Sequence, residues 1–323
     1  MNTPERSYVL GIDGGGTKTI AELCSSRGAV IATARGGASN FQVTGVATAA
    51  RTICDLAETC CHSAGVPHKD VRALVAGLAG AGRTGDQERM AHGLRELFFA
   101  RTFRNVRIAV ESDGRIALEG AFGGEAGIAI IAGTGSLVMG KDSRGRIHRA
   151  GGWGRYLGDE GSGYTIGREG LRAVAKMIDG AGKKTVLAKR LAVEFGLGSQ
   201  KAIINAVYTK GFDIASVAKL VVEAAEKGDG VATRILAEAV KELLSVTEPV
   251  WRKLRRVKRG SSVSIVFIGG LIAGKNVYSR KLQAALTKKL SGISVVVPKS
   301  QPVHGASIMA LGHLRPVHAH ATA

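Results

Sequence analysis

The sequence contains no run of about 18 apolar residues, which is the length that a membrane-spanning helix requires. Its first residues, MNTPERSYVLG, also lack the basic, apolar and small-residue segments of a secretion signal. These two absences argue against a membrane protein and against a secreted one. They predict a soluble protein that resides in the cytoplasm.

Cysteine is scarce as well. The chain of 323 residues has four, which are Cys24, Cys54, Cys60 and Cys61. They lack paired C-x-x-C spacing, so the sequence suggests neither a zinc site nor the disulfide framework of a secreted domain. Reduced thiols that pack in the interior are the interpretation we favour.

Acidic residues are outnumbered by basic ones, 26 against 45, which gives a formal net charge of +19. Such an excess raises the question of a nucleic-acid partner. The dense patch WRKLRRVKRGSS, Trp251 to Ser262, lies at the end of a long helical pattern, where cations complement the helix dipole. No aromatic interleaving, zinc finger or helix-turn-helix signature accompanies it. We therefore expect a solvated basic face that would attract polyphosphate ligands, and neither a nucleic-acid nor a membrane partner.

Glycine, in contrast, is abundant, with 45 residues and no collagen-like period of three. The excess must lie in turns and where backbones approach one another. The stretch YVLGIDGGGTKT, residues 8 to 19, illustrates the point. Three consecutive glycines weaken a strand, because each loses backbone entropy and brings no side chain to pack. A chain of this length suffices for two domains with cores of their own.

The chain repeats one pattern twice. In the first half the apolar strand YVLGID leads into GGGTK, and the strand patterns TIAELCS and GAVIATARG follow. In the second half GIAIIAG leads into TGS, and LVMGKDSRGRIHRAGG supplies two more strands around a turn. Helical patterns come after each set. Two copies of one unit predict two related α/β lobes.

The rest of the chain predicts helices and two further strands. The patterns VATAARTICDLAETCCHSAG and GYTIGREGLRAVAKMIDG are helical, and so is most of the segment from Thr185 to Val257, with a kink or break expected at Pro249. SVSIVFIGG and ISVVVP are strand patterns, and NVYSRKLQAAL and HGASIMALGHL are helical ones. The tail RPVHAHATA has no packing pattern, so we expect it to be frayed.

The glycine turns are suited to binding phosphate. Because no Cβ keeps an anion away, the N–H groups of such a turn can converge on a phosphate oxygen. In the first turn Asp13 is a candidate ligand of a hydrated Mg²⁺, and Thr17 and Lys18 would reach the same phosphates. The glycines of the first turn are Gly14, Gly15 and Gly16, and the second turn offers Gly133, Thr134, Gly135 and Ser136.

A third glycine cluster, FIGGLIAG at residues 267 to 274, follows a buried strand pattern. Its Gly269 and Gly270 would let an adenosine lie flat against the backbone. One such cluster is more often a simple hairpin turn. Three in this order, two of them in repeated units, favour an ATP site.

Several stretches together resemble a known family. The order GIDGGGTKT, GTGS, FIGGLIAG is similar to the two phosphate motifs and the adenosine motif of the sugar kinase, heat-shock ATPase and actin superfamily. The stretches SDGRIALEGAFGG, IAGTGSLV and AGGWGRYLGDEGSGYTIGREGL resemble the N-acetylglucosamine and glucosamine kinases within the BadF/BadG/BcrA/BcrD ATPase family. The likeness covers nearly the whole chain and is sparsest between about residues 180 and 260.

The resemblance implies roles for individual residues. Asp113 matches the carboxylate that accepts the proton of the sugar hydroxyl, and Asn40 matches a sugar-binding asparagine. Thr17 and Thr134 match nucleotide phosphate contacts. The sugar pocket would be lined by Gly152, Trp153, Gly154 and Asp159. One position departs from the N-acetylglucosamine kinases, because Leu137 stands where they carry a polar residue near the sugar's amide.

Each of these residues also has a purely structural interpretation. Asp113 would serve equally well as the N-cap of the following helix, and the residues alone do not favour the general base over the cap. Trp153 would plug a core, Asp159 would cap a helix, and Asn40 stands where a turn residue is expected anyway. His304 opens the last helix and is expected to cap or pack.

The combined expectation is an α/β protein with a two-lobe, actin-like ATPase (ribonuclease H-like) fold and duplicated βββαβαβα units. Its N-terminal lobe would comprise residues 1–115 plus a C-terminal helix at 303–315, and residues 116–302 would form a C-terminal lobe with nucleotide-binding motifs. The expected activity is ATP- and Mg²⁺-dependent phosphorylation of N-acetylglucosamine or glucosamine at the 6-hydroxyl, with a homodimer as a possible assembly. The alternatives are an ATPase activator, which would need cluster-binding cysteines beyond Cys61, and a sugar-sensing regulator without kinase activity.

Overall fold

The computed structural model describes residues 7–257 and 262–314. It divides the chain into two compact units, residues 1–125 together with 298–323, and residues 126–297. Within the described residues, no helix combines the length and apolarity needed to cross a bilayer. The tail that we expected to be frayed, and residues 258–261 of the basic patch, lie outside the described residues.

The described residues form two five-stranded sheets and the helices around them. The strands are β1 Tyr8–Gly14, β2 Thr19–Ser25, β3 Val30–Gly36, β4 Val71–Leu78, β5 Arg107–Ser112, β6 Gly127–Ala132, β7 Ser136–Lys141, β8 Ile147–Gly151, β9 Val263–Ile268 and β10 Ile293–Val295. The helices are α1 Phe41–Thr44, α2 Val46–Ala64, α3 Thr84–Ala100, α4 Asp113–Phe122, α5 Gly163–Ile178, α6 Leu187–Phe195, α7 Gln200–Ile204, α8 Val217–Glu226, α9 Gly230–Val257, α10 Val277–Lys289 and α11 Pro302–Gly312.

The first unit is built on a sheet of order β3-β2-β1-β4-β5. β1 pairs antiparallel with β2 and parallel with β4, and its near-continuous apolar run is typical of a central strand that is covered on both faces. One face packs against a core that includes residues of α2 and α3, and the other against α4 and α11. All four cysteines are free and buried in these cores, as the sequence predicted. Burial raises the pKa of Cys54 to about 12, so this thiol stays protonated.

α11 lies against β1 and α4 through unusually close backbone contacts. A Cβ on Gly120 of α4 would meet the Gln301 carbonyl oxygen at 2.6 Å. A Cβ on Gly305 of α11 would overlap the Ile116 carbonyl oxygen and would lie 3.0 Å from the Gly120 Cα. Only glycine permits two helices to approach this closely, and the sequence therefore places glycine on both sides of the crossing.

Polar contacts also tie α11 to β2. The buried Glu22 carboxylate oxygen Oε1 accepts the Ser307 hydroxyl at 2.9 Å and lies 2.7 Å from His304 Nδ1. Cys24 Sγ donates to the same oxygen at 3.2 Å. His304 therefore packs and anchors the last helix, which is one of the two structural roles expected for it.

The second unit repeats the sheet with order β10-β9-β6-β7-β8. β6 takes the place of β1, since it pairs antiparallel with β7 and parallel with β9. The sequence correctly predicted this repetition of a strand, a glycine turn and two further strands. Helices α5 to α10 surround a separate apolar core.

The long helix α9 continues through Pro249. Of the kink or break that the sequence predicted at this position, the break does not occur. Its buried side chains recur at three- and four-residue spacing and include Leu236, Leu243, Val250 and Leu254. This continuous apolar stripe stabilises the helix by packing. The burial offsets the backbone hydrogen bond that proline cannot make.

The unit boundaries differ from those expected. The first unit extends to Glu125 instead of residue 115 because α4 packs against α11 and the sheet of that unit. The chain returns to the first unit at Pro298, four residues before α11 begins. The N–H groups of Lys299 and Ser300 donate there to backbone carbonyls at the end of α4. The last helix begins at Pro302 and ends at Gly312, whereas the sequence predicted 303–315.

Candidate functional site

The first glycine turn is an exposed hairpin corner between β1 and β2. Gly15 N–H donates to the Lys18 carbonyl at 3.0 Å, and Gly16, Thr17 and Lys18 are exposed. A Cβ built on Gly16 would meet no atom within 4 Å. The turn therefore presents bare main chain to its surroundings, as a phosphate-binding turn requires.

A second loop holds this corner in place. The Gly15 carbonyl accepts the N–H groups of Ser39 and Asn40, each at 3.1 Å. The Thr19 hydroxyl donates to the Gly37 carbonyl at 2.6 Å and lies 2.8 Å from the buried Ser39 hydroxyl. Sequence reasoning missed Thr19 and Ser39, although each is a hydroxyl residue that closely follows consecutive glycines, in GGGTKT and GGAS, and this was the available signal.

Asn40 lies at the end of the same loop. It is the N-cap of α1, where its Oδ1 accepts the Gln42 N–H at 3.2 Å. The structural interpretation of Asn40 therefore holds in this structure, and its sugar contact stays a prediction.

Asp13 lies at the carboxyl end of β1. The register pairs it with Gly77 of β4, which in turn pairs with Glu111 of β5. Laterally paired residues of parallel strands direct their side chains to the same face of a sheet, so the two carboxylates share a face. Burial raises the pKa of Asp13, and the nearby negative charge of Asp113 raises it further, against the opposing effect of Lys18.

Glu111 was not predicted as a site residue. Burial raises the pKa of its carboxyl group, and Glu119 adds to this effect while Arg115 opposes it. Its position two residues before Asp113, at the end of the same strand, was the available signal. The carboxyl end of this sheet thus carries three acidic side chains, Asp13, Glu111 and Asp113.

Asp113 is the first residue of α4, but it is not the helix cap. Ser112 is the N-cap, since its hydroxyl accepts the Arg115 N–H at 3.2 Å. The Asp113 side chain is exposed and its Oδ1 accepts the Gly114 N–H at 2.8 Å. The capping interpretation of Asp113 is therefore wrong, because the preceding serine performs that task and leaves an oriented, accessible carboxylate.

The second glycine turn joins β6 to β7 in the other unit. Gly133 N–H donates to the Gly135 carbonyl at 3.0 Å, and Thr134 is exposed. A Cβ on Gly133 would meet nothing within 4 Å, so this turn too presents open main chain. Ser136 is buried beneath the turn, where its hydroxyl donates to the Glu160 carbonyl at 2.8 Å.

Asp159 supports this second turn. It is buried, and its Oδ1 accepts the Ser136 N–H at 3.1 Å. Asp159 has a positive φ of 60°, a conformation that a residue with a Cβ rarely adopts. A Cβ on Gly135 would lie 2.9 Å from the same carboxylate oxygen. The first turn of α5 adds two further bonds, from Gly163 N–H to the Gly133 carbonyl and from Tyr164 N–H to the Thr134 carbonyl.

The GGWG segment leads away from β8. Trp153 is 74% exposed, so it does not plug a core. Gly152 has a φ of +70°, and its carbonyl accepts the Arg149 guanidinium at 2.9 Å. A Cβ on Gly152 would lie 3.0 Å from a methyl group of Leu137. The exposed tryptophan therefore stands beside a backbone segment that is flanked by one cation and one apolar side chain.

The two glycines of the third cluster differ. Gly269 has a φ of +101°, and a Cβ there would lie 2.7 Å from the Ala132 carbonyl carbon and 3.2 Å from the Gly133 nitrogen. It is a packing glycine that sets β9 close to the second turn. Gly270 is exposed and a Cβ on it would meet nothing within 4 Å. Of the two, Gly270 leaves the open surface that an adenosine needs.

Each unit by itself leaves open main chain. In the first unit Gly16, and in the second unit Gly133 and Gly270, leave space that a ligand can fill where a side chain would intrude. The negative charge of Asp113 adds to the raised pKa of Asp13, and a cation bound beside Asp13 would relieve that repulsion. Asp13 is the residue that would hold Mg²⁺, through oxygen ligation of the kind this ion prefers.

The raised pKa of Asp13 leads to a stability prediction. An acid whose pKa is higher in the folded protein than in the unfolded chain lowers stability once the pH exceeds its unfolded value. We therefore expect Asp13→Asn to raise the Tm of the ligand-free protein near neutral pH, although it removes the proposed metal ligand. The difference should vanish below about pH 4, where the wild-type carboxyl is protonated in both states. Thermal denaturation across this pH range checks it, with Asp70→Asn as the control, and a lower Tm at neutral pH would contradict it.

Two kinases are similar in sequence to this chain over most of its length. An N-acetylmuramic acid/N-acetylglucosamine kinase of Clostridium acetobutylicum is 33% identical over 306 residues, which cover 94% of this chain and 98% of that protein. An N-acetyl-D-glucosamine kinase of Dictyostelium discoideum is 29% identical over 321 residues, covering 95% and 98%.

Solved structures share the fold. A Chromobacterium violaceum protein assigned as an N-acetylglucosamine kinase has a TM-score of 0.70 and 26% identity, covering 95% of this chain and 100% of that one. A ROK family glucokinase of Streptomyces griseus, solved with glucose and AMPPNP, has a TM-score of 0.50 and 17% identity, covering 94% of this chain and 98% of that one. At this lower identity the likeness shows the fold alone. The predicted actin-like ATPase fold is confirmed.

The sequence model of one family accounts for almost the whole chain. It matches residues 10–310, which include the three glycine clusters, Asp113 and the GGWG segment. The resemblance predicted from those motifs is thereby confirmed. This chain belongs to the BadF/BadG/BcrA/BcrD ATPase family.

Proposed function

We propose that this protein is an ATP-dependent kinase that phosphorylates the 6-hydroxyl of an amino sugar, with Asp113 as general base. One observation carries the proposal. Two hairpin corners, at Gly16 and at Gly133, leave open main chain in corresponding places of the repeated sheet, and the first lies at the same sheet end as Asp13 and Asp113. Relatives at 33% and 29% identity that cover nearly the whole chain are named amino-sugar kinases.

The chain supplies what phosphoryl transfer requires. Such a reaction depends on positioning and on neutralising charge more than on covalent help. N–H groups of the two turns and the Lys18 ammonium would hold phosphate oxygens, and Thr17 and Thr134 would add hydroxyl donors. Bound Mg²⁺ would neutralise phosphate charge.

Asp113 would prepare the acceptor. A sugar hydroxyl is a weak nucleophile, and a carboxylate within hydrogen-bond reach can orient it and accept its proton. The Gly114 N–H fixes one oxygen of Asp113 at the start of α4, which limits rotation of the carboxylate. Ser112 caps the helix, so proton transfer to Asp113 leaves the cap intact.

Among amino sugars, an N-acetylated one is favoured, because the two relatives are named kinases of N-acetylated sugars. Leu137 flanks Gly152 of the GGWG segment and is the position that departs from the N-acetylglucosamine kinases, so a reaction with glucosamine and none with N-acetylglucosamine would point to Leu137. The exposed Trp153 would supply a flat apolar surface for the sugar ring. Asn40 and Asp159 would bind sugar hydroxyls, and Asp159 would do so while supporting the second turn.

The proposal is tested by sugar-dependent release of ADP. The acceptors would be N-acetylglucosamine, N-acetylmuramic acid, glucosamine and glucose, each with Mg²⁺ and ATP. Phosphorus NMR of the product identifies the oxygen that carries the phosphate. A signal from a 6-phosphate of an amino sugar is expected, and the absence of ADP release with every sugar would refute the kinase assignment.

A double variant, with one substitution in each glycine turn, tests whether the two turns bind phosphate. In Gly16→Ala/Gly133→Ala the added methyl groups enter open space, so the Tm should change by no more than about 1 °C. Affinity for the Mg²⁺ complex of a non-hydrolysable ATP analogue should fall at least about tenfold, roughly 1.4 kcal/mol, because the methyl groups occupy the proposed phosphate positions. Calorimetric titration measures the affinity.

The matched control is Gly85→Ala/Gly230→Ala, which also adds one methyl to open space in each unit, at helix positions that belong to neither turn. Its affinity for the analogue should equal that of the wild type. Equal affinity in both double variants would show that the turns do not bind the phosphates.

A further inference from the structure

A cavity of about 720 Å³ lies in the second unit between α5 and α9, apart from the residues assigned to the reaction. We name it the α5–α9 cavity. Its α5 wall carries Arg168, Arg172 and Lys176, which follow one another at four-residue spacing on one side of the helix. Lys183, from the loop after α5, and Arg234 of α9 also line it.

Three carboxylates line the same cavity, but each already has a partner. Glu169 lies 2.9 Å from Arg172 and 3.3 Å from Arg168. Glu238 lies 2.7 Å from Lys241, which does not line the cavity. Glu242 accepts the Gly161 N–H, and burial raises the pKa of its carboxyl group. Each of the three carboxylates is therefore already engaged by another group of the protein.

The remaining cations have no such partner. Within residues 7–257 and 262–314, neither Lys176, Lys183 nor Arg234 lies within ion-pair distance of a carboxylate. All three are exposed at the cavity surface. Positive charges that converge on a concave surface raise the local concentration of anions.

The loop that carries Lys183 is held tightly against α5. Ala181 N–H donates to the Lys176 carbonyl at 2.9 Å, and Gly180 N–H donates to the Met177 carbonyl at 3.1 Å. A Cβ on Gly182 would lie 2.8 Å from the Met177 nitrogen, so only glycine permits this close approach. The main chain that carries Lys176 and Lys183 is therefore held in place by backbone contacts.

The cavity also has an apolar component. Ile166 and Ala239 are buried and line it, and Ile235 and Ala173 are partly buried. A volume of about 720 Å³ lies within the range of sites for small organic ligands. Free inorganic anions would leave most of this space unfilled.

We propose that the α5–α9 cavity is a second binding site, which takes a small metabolite that carries two phosphate groups on a compact carbon skeleton. The phosphates lie against Lys176, Lys183 and Arg234, and the skeleton covers the apolar floor. This site is independent of the proposed kinase activity. Two of its lining residues contact the segment that supports the second glycine turn, since the Thr165 hydroxyl donates to the Asp159 carbonyl and Glu242 accepts from Gly161.

The test uses fructose 1,6-bisphosphate as the probe and fructose as the uncharged control, titrated into the full chain without nucleotide. The wild type should bind the bisphosphate at one saturable site and should not bind fructose. The variant Lys176→Glu/Lys183→Glu should weaken binding at least about tenfold, since two attractive contacts become repulsive. Ala173→Trp, which fills the cavity with no change of charge, should abolish binding while the far-ultraviolet circular dichroism spectrum stays that of the wild type.

The matched control is Lys253→Glu/Lys289→Glu, which makes the same charge change at two exposed positions outside the cavity. It should bind within about twofold of the wild type. Equal weakening in the two lysine variants would mean general attraction to a basic protein and would overturn the proposal. Binding that survives in both cavity variants would place the probe elsewhere and would overturn it too, as would a wild type that does not bind the probe.

Discussion

Asp113→Asn should lower kcat for sugar phosphorylation by about 10² to 10⁴, because the amide cannot accept the proton of the sugar hydroxyl. The amide oxygen can still accept the Gly114 N–H, and Ser112 still caps α4, so the fold should be unchanged. KM values for the sugar and ATP should change little, since the lost interaction is one that develops in the transition state. Steady-state kinetics with the sugar that gives the fastest ADP release measure this effect.

The control is Asp70→Asn. It makes the same change at another aspartate of the first unit, one that has no proposed part in the reaction. It should retain wild-type kcat. Wild-type turnover in Asp113→Asn would rule out this carboxylate as the general base. A loss that appears only in KM would instead assign Asp113 to sugar binding.

Gly305→Ala should destabilise the protein by about 2 to 4 kcal/mol, a large effect for a single methyl group. The added Cβ overlaps the Ile116 carbonyl oxygen and presses on Gly120, and both are backbone groups of α4 that cannot rotate away. The higher helix propensity of alanine offsets only about 1 kcal/mol of this loss in stability. Thermal and urea denaturation should show the loss as a Tm lower by roughly 5 to 15 °C.

Gly312→Ala makes the same change at the end of the same helix, where a Cβ meets no atom within 4 Å. It should be neutral or should raise stability by up to about 1 kcal/mol. A similar response in the two variants would mean that propensity, and not the contact with α4, governs glycine at these positions. A stable Gly305→Ala protein would contradict the close crossing of α4 and α11.

Local pattern explains why much of the fold could be predicted. An apolar strand that ends in glycines, followed by alternating segments, specifies a hairpin with little help from distant residues. Its recurrence at YVLGID and at GIAIIAG therefore predicted both sheets. The open corners at Gly16 and Gly133 follow from the same local signal.

Long-range contacts explain the rest. Asp159 is 23 residues from Ser136, and nothing in the local sequence indicates that its carboxylate accepts that N–H group. The role of Ser112 as the cap of α4, in place of Asp113, depends on side-chain geometry, because both residue types cap helices well. The boundary at Glu125 depends on α4 meeting α11, a helix that lies some 180 residues later in the chain.

The use of α11 in the first unit affects how the protein is made. A ribosome releases residues 1–125 and then all of 126–297 before it adds the helix that covers one face of the first sheet. During that interval Val9, Ala73 and Val75 lack their neighbours from α11 and would expose apolar surface to chaperones. A chain truncated before Pro302 would therefore leave the first sheet without the helix that covers one of its faces, although every strand of that sheet had been made.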